Sequence, residues 1–322
     1  MKISNSIFVI LFLTSAIFLT SAQAQNENGG VLAQTQRNEN QDLGEQVKRA
    51  FEAYRKGDYQ PVIELKKSGA AIVPYLKPYQ DDEDSHIRSQ VIWLLRQIAE
   101  PDSVPLLAKA LIDKDKNVST DAVRVLYEFY PPSLFEDNAE VKVNLRQSVK
   151  TGNVSTLALL LLRRFPGADT IQTLKVVANK NYKSQNLAVM GFPMVKPSIA
   201  ANVTLSHLGD AGGDDALSSK IKIGEQNDLE FLLKTVGIIE NKKILIELFQ
   251  KTITDARIIQ PVIDGKYKGK GVLARMKDLT VKVFTEKLDI EFRAKNERFR
   301  RYDNATINQY EKKIKDALTK IS

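Results

Sequence analysis

The chain contains no cysteine, two histidines and one tryptophan. Without cysteine there is no disulfide framework, no thiolate metal site and no cysteine nucleophile. His86 and His207 do not form the His-Glu-x-x-His pair of a zinc protease, and no Gly-x-Ser-x-Gly nucleophile elbow is present. His86 sits beside Asp81, Asp82, Glu83 and Asp84. That run lacks the spacing and loop glycine of a calcium-binding loop and reads as a solvated helix start. The glycines and lysines of Gly265-Lys266-Tyr267-Lys268-Gly269-Lys270-Gly271 lack the four-residue gap and the Ser/Thr of a nucleotide loop. No catalytic residue, metal or cofactor is therefore expected. No long apolar run follows the first 24 residues, so no membrane span is expected after them.

What is present is a repeated pattern. Ile72-Val73-Pro74-Tyr75-Leu76 with Asp82, Asp84, Ile87, Val91 and Leu95 returns 31 residues later. The second copy is Ser103-Val104-Pro105-Leu106-Leu107 with Asp113, Asp115, Val118, Ala122 and Leu126. A period of this size in a helical pattern signals stacked repeats, none able to bury its apolar stripe alone. Each copy reads as two helices. Proline suits the first turn of the first helix, where its missing N–H has no partner. The second carries Ile87, Val91, Leu94, Leu95 and Ile98 on one stripe. The acidic turn between them, Asp81 to Ser85 or Asp113 to Asn117, supplies caps for that second helix.

On Val73-Pro74, Asp84-x-x-Ile87-Arg88-x-x-Val91, Leu95-x-x-Ile98, Val104-Pro105 and Asp115-x-x-Val118, the chain resembles the HEAT family, specifically the short phycobilisome-lyase-type repeats. The resemblance is sharp in 72–126, and Ser119 stands where Arg88 stands in the first copy. It implies an all-α fold, an α-solenoid of stacked antiparallel helix pairs like that of armadillo proteins, and a binding surface rather than an enzyme.

Lys2, the apolar run Ile7 to Leu19 and Ala22-Gln23-Ala24 read as a signal peptide over 1–24, with an uncleaved membrane anchor as the weaker alternative. The expected location is outside the cytoplasm, periplasmic or extracellular, in a bacterial envelope. Residues 25–41, rich in Gln, Asn, Glu and Gly, read as a flexible leader. The solenoid is expected over 42–265, without a sheet, and a basic helical cap over 266–322. The net charge of +8 sits unevenly: 266–322 holds 16 Lys/Arg against 8 Asp/Glu, and 25–265 holds 30 against 31.

Leu43, Val47, Ala50, Phe51 and Tyr54 predict a helix ending at Gly57, and Pro61 starts another that ends at Gly69. Asn153-Val154-Ser155-Thr156-Leu157-Ala158 echoes Asn117-Val118-Ser119-Thr120-Asp121-Ala122. Asp169-Thr170-Ile171 restarts a first-half helix, and Gly191, Pro193 and Pro197 interrupt the pattern. It resumes at Leu205 to Asp210, matching Leu95 to Glu100, and continues through Leu229, Leu232, Leu233, Val236 and Ile239, then Ile244 to Ile253. Asp255-Ala256-Arg257-Ile258 repeats the acidic turn. About six repeats result. Residues 279–292 alternate as a strand does but are flanked by helices and read as helix. Asn304 is the expected cap of a helix striped by Ile307, Tyr310, Ile314, Ala317, Leu318 and Ile321.

Two candidate surfaces follow. Trp93 lies off the apolar stripe on the side of Gln90 and Gln97, where second-half helices of HEAT-like proteins line a concave face. With Arg124 these residues are candidates to anchor a protein or peptide partner, an exposed tryptophan being a frequent anchor. The alternative for Trp93 is packing at a repeat interface. Lys266, Lys268, Lys270, Arg293, Arg298, Arg300 and Arg301 form a candidate surface for anionic envelope lipid or polysaccharide. Bilin lyases and alkylpurine DNA glycosylases show that enzymes exist on this fold class, but export argues against their intracellular substrates, nucleic acid included. Four Asn-x-Ser/Thr sequons, at Asn117, Asn153, Asn202 and Asn304, complete the inventory.

Overall fold

The computed structural model describes residues 42–152, 154–183, 193–259, 274–292 and 302–321. The segments read as a signal peptide and a leader, the Gly/Lys loop and Arg293, Arg298, Arg300 and Arg301 lie outside the described residues, as does Asn153. Among the described residues the fold is all-helical but for a small strand pair, and no helix is long and apolar enough to cross a membrane. The chain divides into two compact units, Met1–Ser103 and Val104–Ser322.

In the first unit, α1 covers 42–55 and buries Val47, Ala50 and Phe51. It stops before Gly57, whose φ of 89° is a left-handed turn that suits glycine. Helix α2 (Gln60–Leu65) begins with Pro61 in its first turn. It runs into a tighter segment, Lys66–Ile72, kinked at Gly69 with φ of 55°. Helix α3 (Val73–Leu76) gives way at once to a 3-10 turn, Lys77–Asp81, because Pro78 has no N–H to continue the α ladder. Helix α4 (Ser85–Ile98) packs against these segments and α2, burying Ile87, Arg88, Val91, Ile92, Leu94 and Leu95. Phe51 stacks on Tyr79 at 4.1 Å between ring centroids.

The second unit opens with α5 (Val104–Ala110) and α6 (Lys116–Glu128). Here Lys109 occupies the place of Pro78, 31 residues on, and the first-half helix is longer. The two copies are otherwise built alike. Asp84 accepts from the His86 N–H at 2.8 Å and Asp115 from the Asn117 N–H at 2.8 Å. One step earlier, Asp82 accepts from Asp84 at 3.0 Å and Asp113 from Asp115 at 2.8 Å. Leu76, Leu95, Leu107 and Leu126 are all 0% exposed. Arg88 and Ser119, different in chemistry, do a similar job: both are buried and both donate to a main-chain carbonyl just before their helix. Arg88 Nη1 reaches Asp82 O at 2.7 Å, and Ser119 Oγ reaches Leu111 O at 2.7 Å.

The remaining helices are α7 (Ala139–Lys150), α8 (Thr156–Leu161), α9 (Ala168–Asn179), α10 (Pro197–His207), α11 (Ala211–Ile223), α12 (Gln226–Lys234) and α13 (Lys242–Thr252). Strands β1 (Ile258–Ile259) and β2 (Ala274–Arg275) pair antiparallel, followed by α14 (Met276–Lys287) and α15 (Asn304–Lys320). Substantial helix contacts in this unit join helices one or two places apart: α5 with α7, α6 with α8, α7 with α9, α8 with α10, then α11 with α13, α12 with α14 and α13 with α15. The two sets meet at α10, which packs closely on both α9 and α11. Helices α8 and α10 are buried almost all round, as a helix at the centre of a domain must be. Gly213 lets α11 approach: a Cβ there would fall 2.7 Å from Ser206 N and 2.8 Å from Leu205 Cβ.

The structure corrects four expectations. The acidic turn at Asp255 leads into β1, so a small sheet exists where none was expected; Arg257 folds back onto Asp255, its Nη2 at 2.6 Å, and the β-branched Ile258 and Ile259 continue extended. The Asn153 motif is out of register with the Asn117 motif. Ser155 is the cap of α8, accepting from the Ala158 N–H at 3.3 Å, whereas Ser119 lies inside α6. Residues 279–292 are helical only to Lys287, after which Asp289 turns left-handed with φ of 50°. Helix α15 is capped by Asp303, one residue before the expected Asn304, through the Thr306 N–H at 2.7 Å. Its stripe is buried at Ile307, Tyr310, Ile314 and Leu318, with Ala317 and Ile321 half-buried. The match of Leu205–Asp210 to Leu95–Glu100 extends to the backbone: Ala99 at φ 50° and Gly209 at φ 78° each turn left-handed after their helices.

Candidate functional site

Helix α4 carries Gln90, Trp93 and Gln97 at i, i+3 and i+7, a spacing that sets them along one side. Gln97 is exposed, while Trp93 and Gln90 are half-buried. Trp93 is thus partly packed and partly open to solvent. Gln90 hydrogen-bonds the Tyr54 hydroxyl, whose pKa is raised by burial first, then by Tyr59 and Asp84. Ile92, which the sequence stripe passes over, is buried at 2% exposure, as is its counterpart Val123 at 0%. The second-half helices therefore bury a wider face than the stripe alone indicates.

Arg124, the fourth candidate, lies on α6 in the second unit. Its Nη2 donates to Asp121 at 2.7 Å, and its Nε is buried with no hydrogen-bond partner. One turn on, Tyr127 lies under the Arg163 guanidinium, with Arg163 Cζ 5.3 Å from the ring centroid. Arg163 follows α8 in a 3-10 turn, Leu162–Arg164, and its Nη1 donates to Leu160 O at 2.7 Å. Burial pushes the Arg163 pKa below the ordinary arginine value; Tyr127 opposes this and Arg164 adds to it. Tyr127 and Arg163 were missed in the sequence. They share no motif, and only the packing of α6 on α8 brings them together.

Several other charged groups in the second unit are held in ion pairs. Asp228 and Glu230 of α12 are buried but meet Lys220 at 3.0 Å and Lys234 at 2.5 Å. Asp278 is 3% exposed and gathers Arg275 Nε at 2.9 Å, Arg275 Nη2 at 2.8 Å, the Arg275 N–H at 2.8 Å and the Tyr302 N–H at 3.1 Å. Burial first, with Asp278 and Glu286 adding, pushes the Tyr302 phenol up to about 12. His86 is exposed, and His207 Nδ1 lies 2.9 Å from Ile238 O, tying the end of α10 to the turn before α13. Among the described residues no group of three or more His, Asp or Glu could hold a metal ion. Asn202 is buried within α10, which leaves no room for a glycan at that sequon in the folded chain.

Two open clefts lie among the described residues. One of about 470 Å³ lies between α1 and α2, lined by Gln46, Arg49, Pro61, Glu64 and Ser68 among others. One of about 160 Å³ lies between α7 and α9, lined by Lys150, Asp169, Gln172, Val176 and Tyr182 among others. Compared with protein-family models and with curated proteins, the chain matches none.

Proposed function

We propose that this chain is an exported, noncatalytic scaffold: an α-solenoid of HEAT type that binds a protein or peptide along the face of its second-half helices. The observation that carries the reading is the packing order in the second unit. Alternate helices are neighbours: α5 packs on α7 and α7 on α9, while α6 packs on α8 and α8 on α10. Stacked helix pairs produce that order, because each repeat touches only the next. The matched caps and buried leucines of the two copies in 72–126 support a common repeat unit. Export rests on Lys2, the apolar run and Ala22-Gln23-Ala24. The lack of cysteine and the separate structural settings of the two histidines favour binding over catalysis.

The test is capture from envelope extract with the purified chain as bait, washed at high salt. A protein retained through the wash supports the scaffold. Trp93→Ala should weaken retention while leaving the melting temperature nearly unchanged. No retained protein at any salt would overturn the reading, and a large fall in melting temperature would assign Trp93 to packing alone.

A further inference from the structure

Arg163 stands out among the cations of the second unit. Its guanidinium is partly buried, yet among the described residues no carboxylate pairs with it. Taking a charge from water is costly unless an opposite charge or several hydrogen bonds offset it. Arg163 has only Leu160 O, the Tyr127 hydroxyl and the Tyr127 ring face. Those contacts hold the planar guanidinium in place and leave further N–H donors for another acceptor. One helical turn before Tyr127 on α6, Arg124 keeps its Nε buried and without a hydrogen-bond partner although its Nη2 is paired with Asp121. One guanidinium with unmet donors thus lies over the Tyr127 ring, and a second belongs to the residue one helical turn before that tyrosine. The acids on the same stretch of α6, Asp121 and Glu128, each have contacts of their own.

We propose that Arg163, Tyr127 and Arg124 form a carboxylate-binding notch on α6 and the turn after α8, which takes a Glu or Asp side chain of an acidic peptide partner. The fork of an arginine matches a carboxylate in a bidentate pair, and the tyrosine holds the fork in position before the ligand arrives. The notch deepens the scaffold reading and rests on it, since it names the chemistry that the open face selects. A structural role for Arg163 as a donor to the end of α8 accounts for the Leu160 bond. It leaves the unmet donors without a purpose.

The probe is a fluorescein-labelled hexaglutamate peptide, titrated into the purified full chain at low salt and followed by anisotropy, with hexalysine as the opposite-charge control. Hexaglutamate should bind and hexalysine should not. Arg163→Gln should weaken binding about tenfold or more, as loss of charge-assisted hydrogen bonds does. Arg163→Lys keeps the charge but not the fork, and should lose most of the same affinity. Lys312→Gln/Lys313→Gln, on exposed positions of α15, removes more charge and should change affinity less than twofold (roughly the error of a charge-only effect under screening). Equal loss in the α15 variant, or none in Arg163→Gln, would overturn the notch. Hydrogen exchange on the unaltered chain does not depend on any variant folding. Peptide should protect the α6 residues around Tyr127 and the turn at Arg163, and protection confined elsewhere would overturn the notch as well. If a partner is captured from extract but hexaglutamate does not bind, the notch fails and the scaffold stands. If hexaglutamate binds at the notch but extract yields no partner, the scaffold reading fails while the site stands.

Discussion

The Arg275–Asp278–Tyr302 cluster gives the sharpest test of how the end of the chain is held. Asp278 lies in the first turn of α14 and is 3% exposed. It accepts from the side chain and main chain of Arg275 and from the main chain of Tyr302, while Arg275 Nη2 donates to Tyr302 O at 2.6 Å. The carboxylate therefore ties the start of α14 to the segment that enters α15, across 24 residues of sequence. Asp278→Ala would leave the half-buried Arg275 guanidinium with Tyr302 O alone and two main-chain N–H groups without their acceptor. Removing one partner of a buried ion pair costs about 3–5 kcal/mol. In a unit of this size that corresponds to a fall of about 10 °C in melting temperature. The expected readouts are urea denaturation and amide exchange resolved by residue. Exchange should quicken first in α15, which packs on α13 and α14 and would lose its tie. Arg275→Met/Asp278→Leu, which removes both charges, should cost less than Asp278→Ala alone. A loss below about 1 kcal/mol for Asp278→Ala, the range of an exposed ion pair, would refute the clamp.

Leu95→Ala and Leu126→Ala should each cost about 2–5 kcal/mol, since both side chains are fully buried at matching repeat positions; losses below half of that range's lower end at both would break the equivalence. Gly213→Ala should destabilise by about 1–3 kcal/mol in thermal melts, because the new methyl meets the Ser206 main chain. In an open helix the same change stabilises by about 1 kcal/mol, so the sign alone decides whether α10 and α11 approach as closely as the structure has them. The Asp210 carboxyl is held below the ordinary aspartate range by the hydrogen bond from Lys175, at 2.6 Å, and by the main-chain N–H groups of Gly213 and Gly212. A lowered acid contributes stability that is present above the unfolded value of about 3.9 and is lost as pH falls through the folded value. Stability measured against pH should therefore decline on the acid side below that point, and Asp210→Asn should flatten the decline; an unchanged acid limb would remove Asp210 from the account.

Local chemistry made much of the architecture legible in the chain. Helices were readable wherever apolar residues recur at helical spacing, because burial of one stripe is what holds such a helix, as at Val91, Leu94 and Leu95. Their starts were readable at Asp84 and Asp115, where a short acidic side chain meets its own main-chain N–H two residues on. These are interactions among near neighbours, so sequence spacing alone carries them. Register was less secure where a cap could shift by a residue, as from Asn304 to Asp303, or where a similar string served another purpose, as at Ser155. Three features were decided only by tertiary packing. Ile92 and Val123 are buried because a second neighbour covers the flank of their helices, which no single-helix pattern encodes. Arg275, Asp278 and Tyr302 meet because the chain returns to its own path, and Tyr127 meets Arg163 because α6 packs on α8. Charge in a solvated chain costs almost nothing to place. It gains its meaning at Arg124 and Arg163 only when packing removes water from the guanidinium and leaves its donors to find a partner.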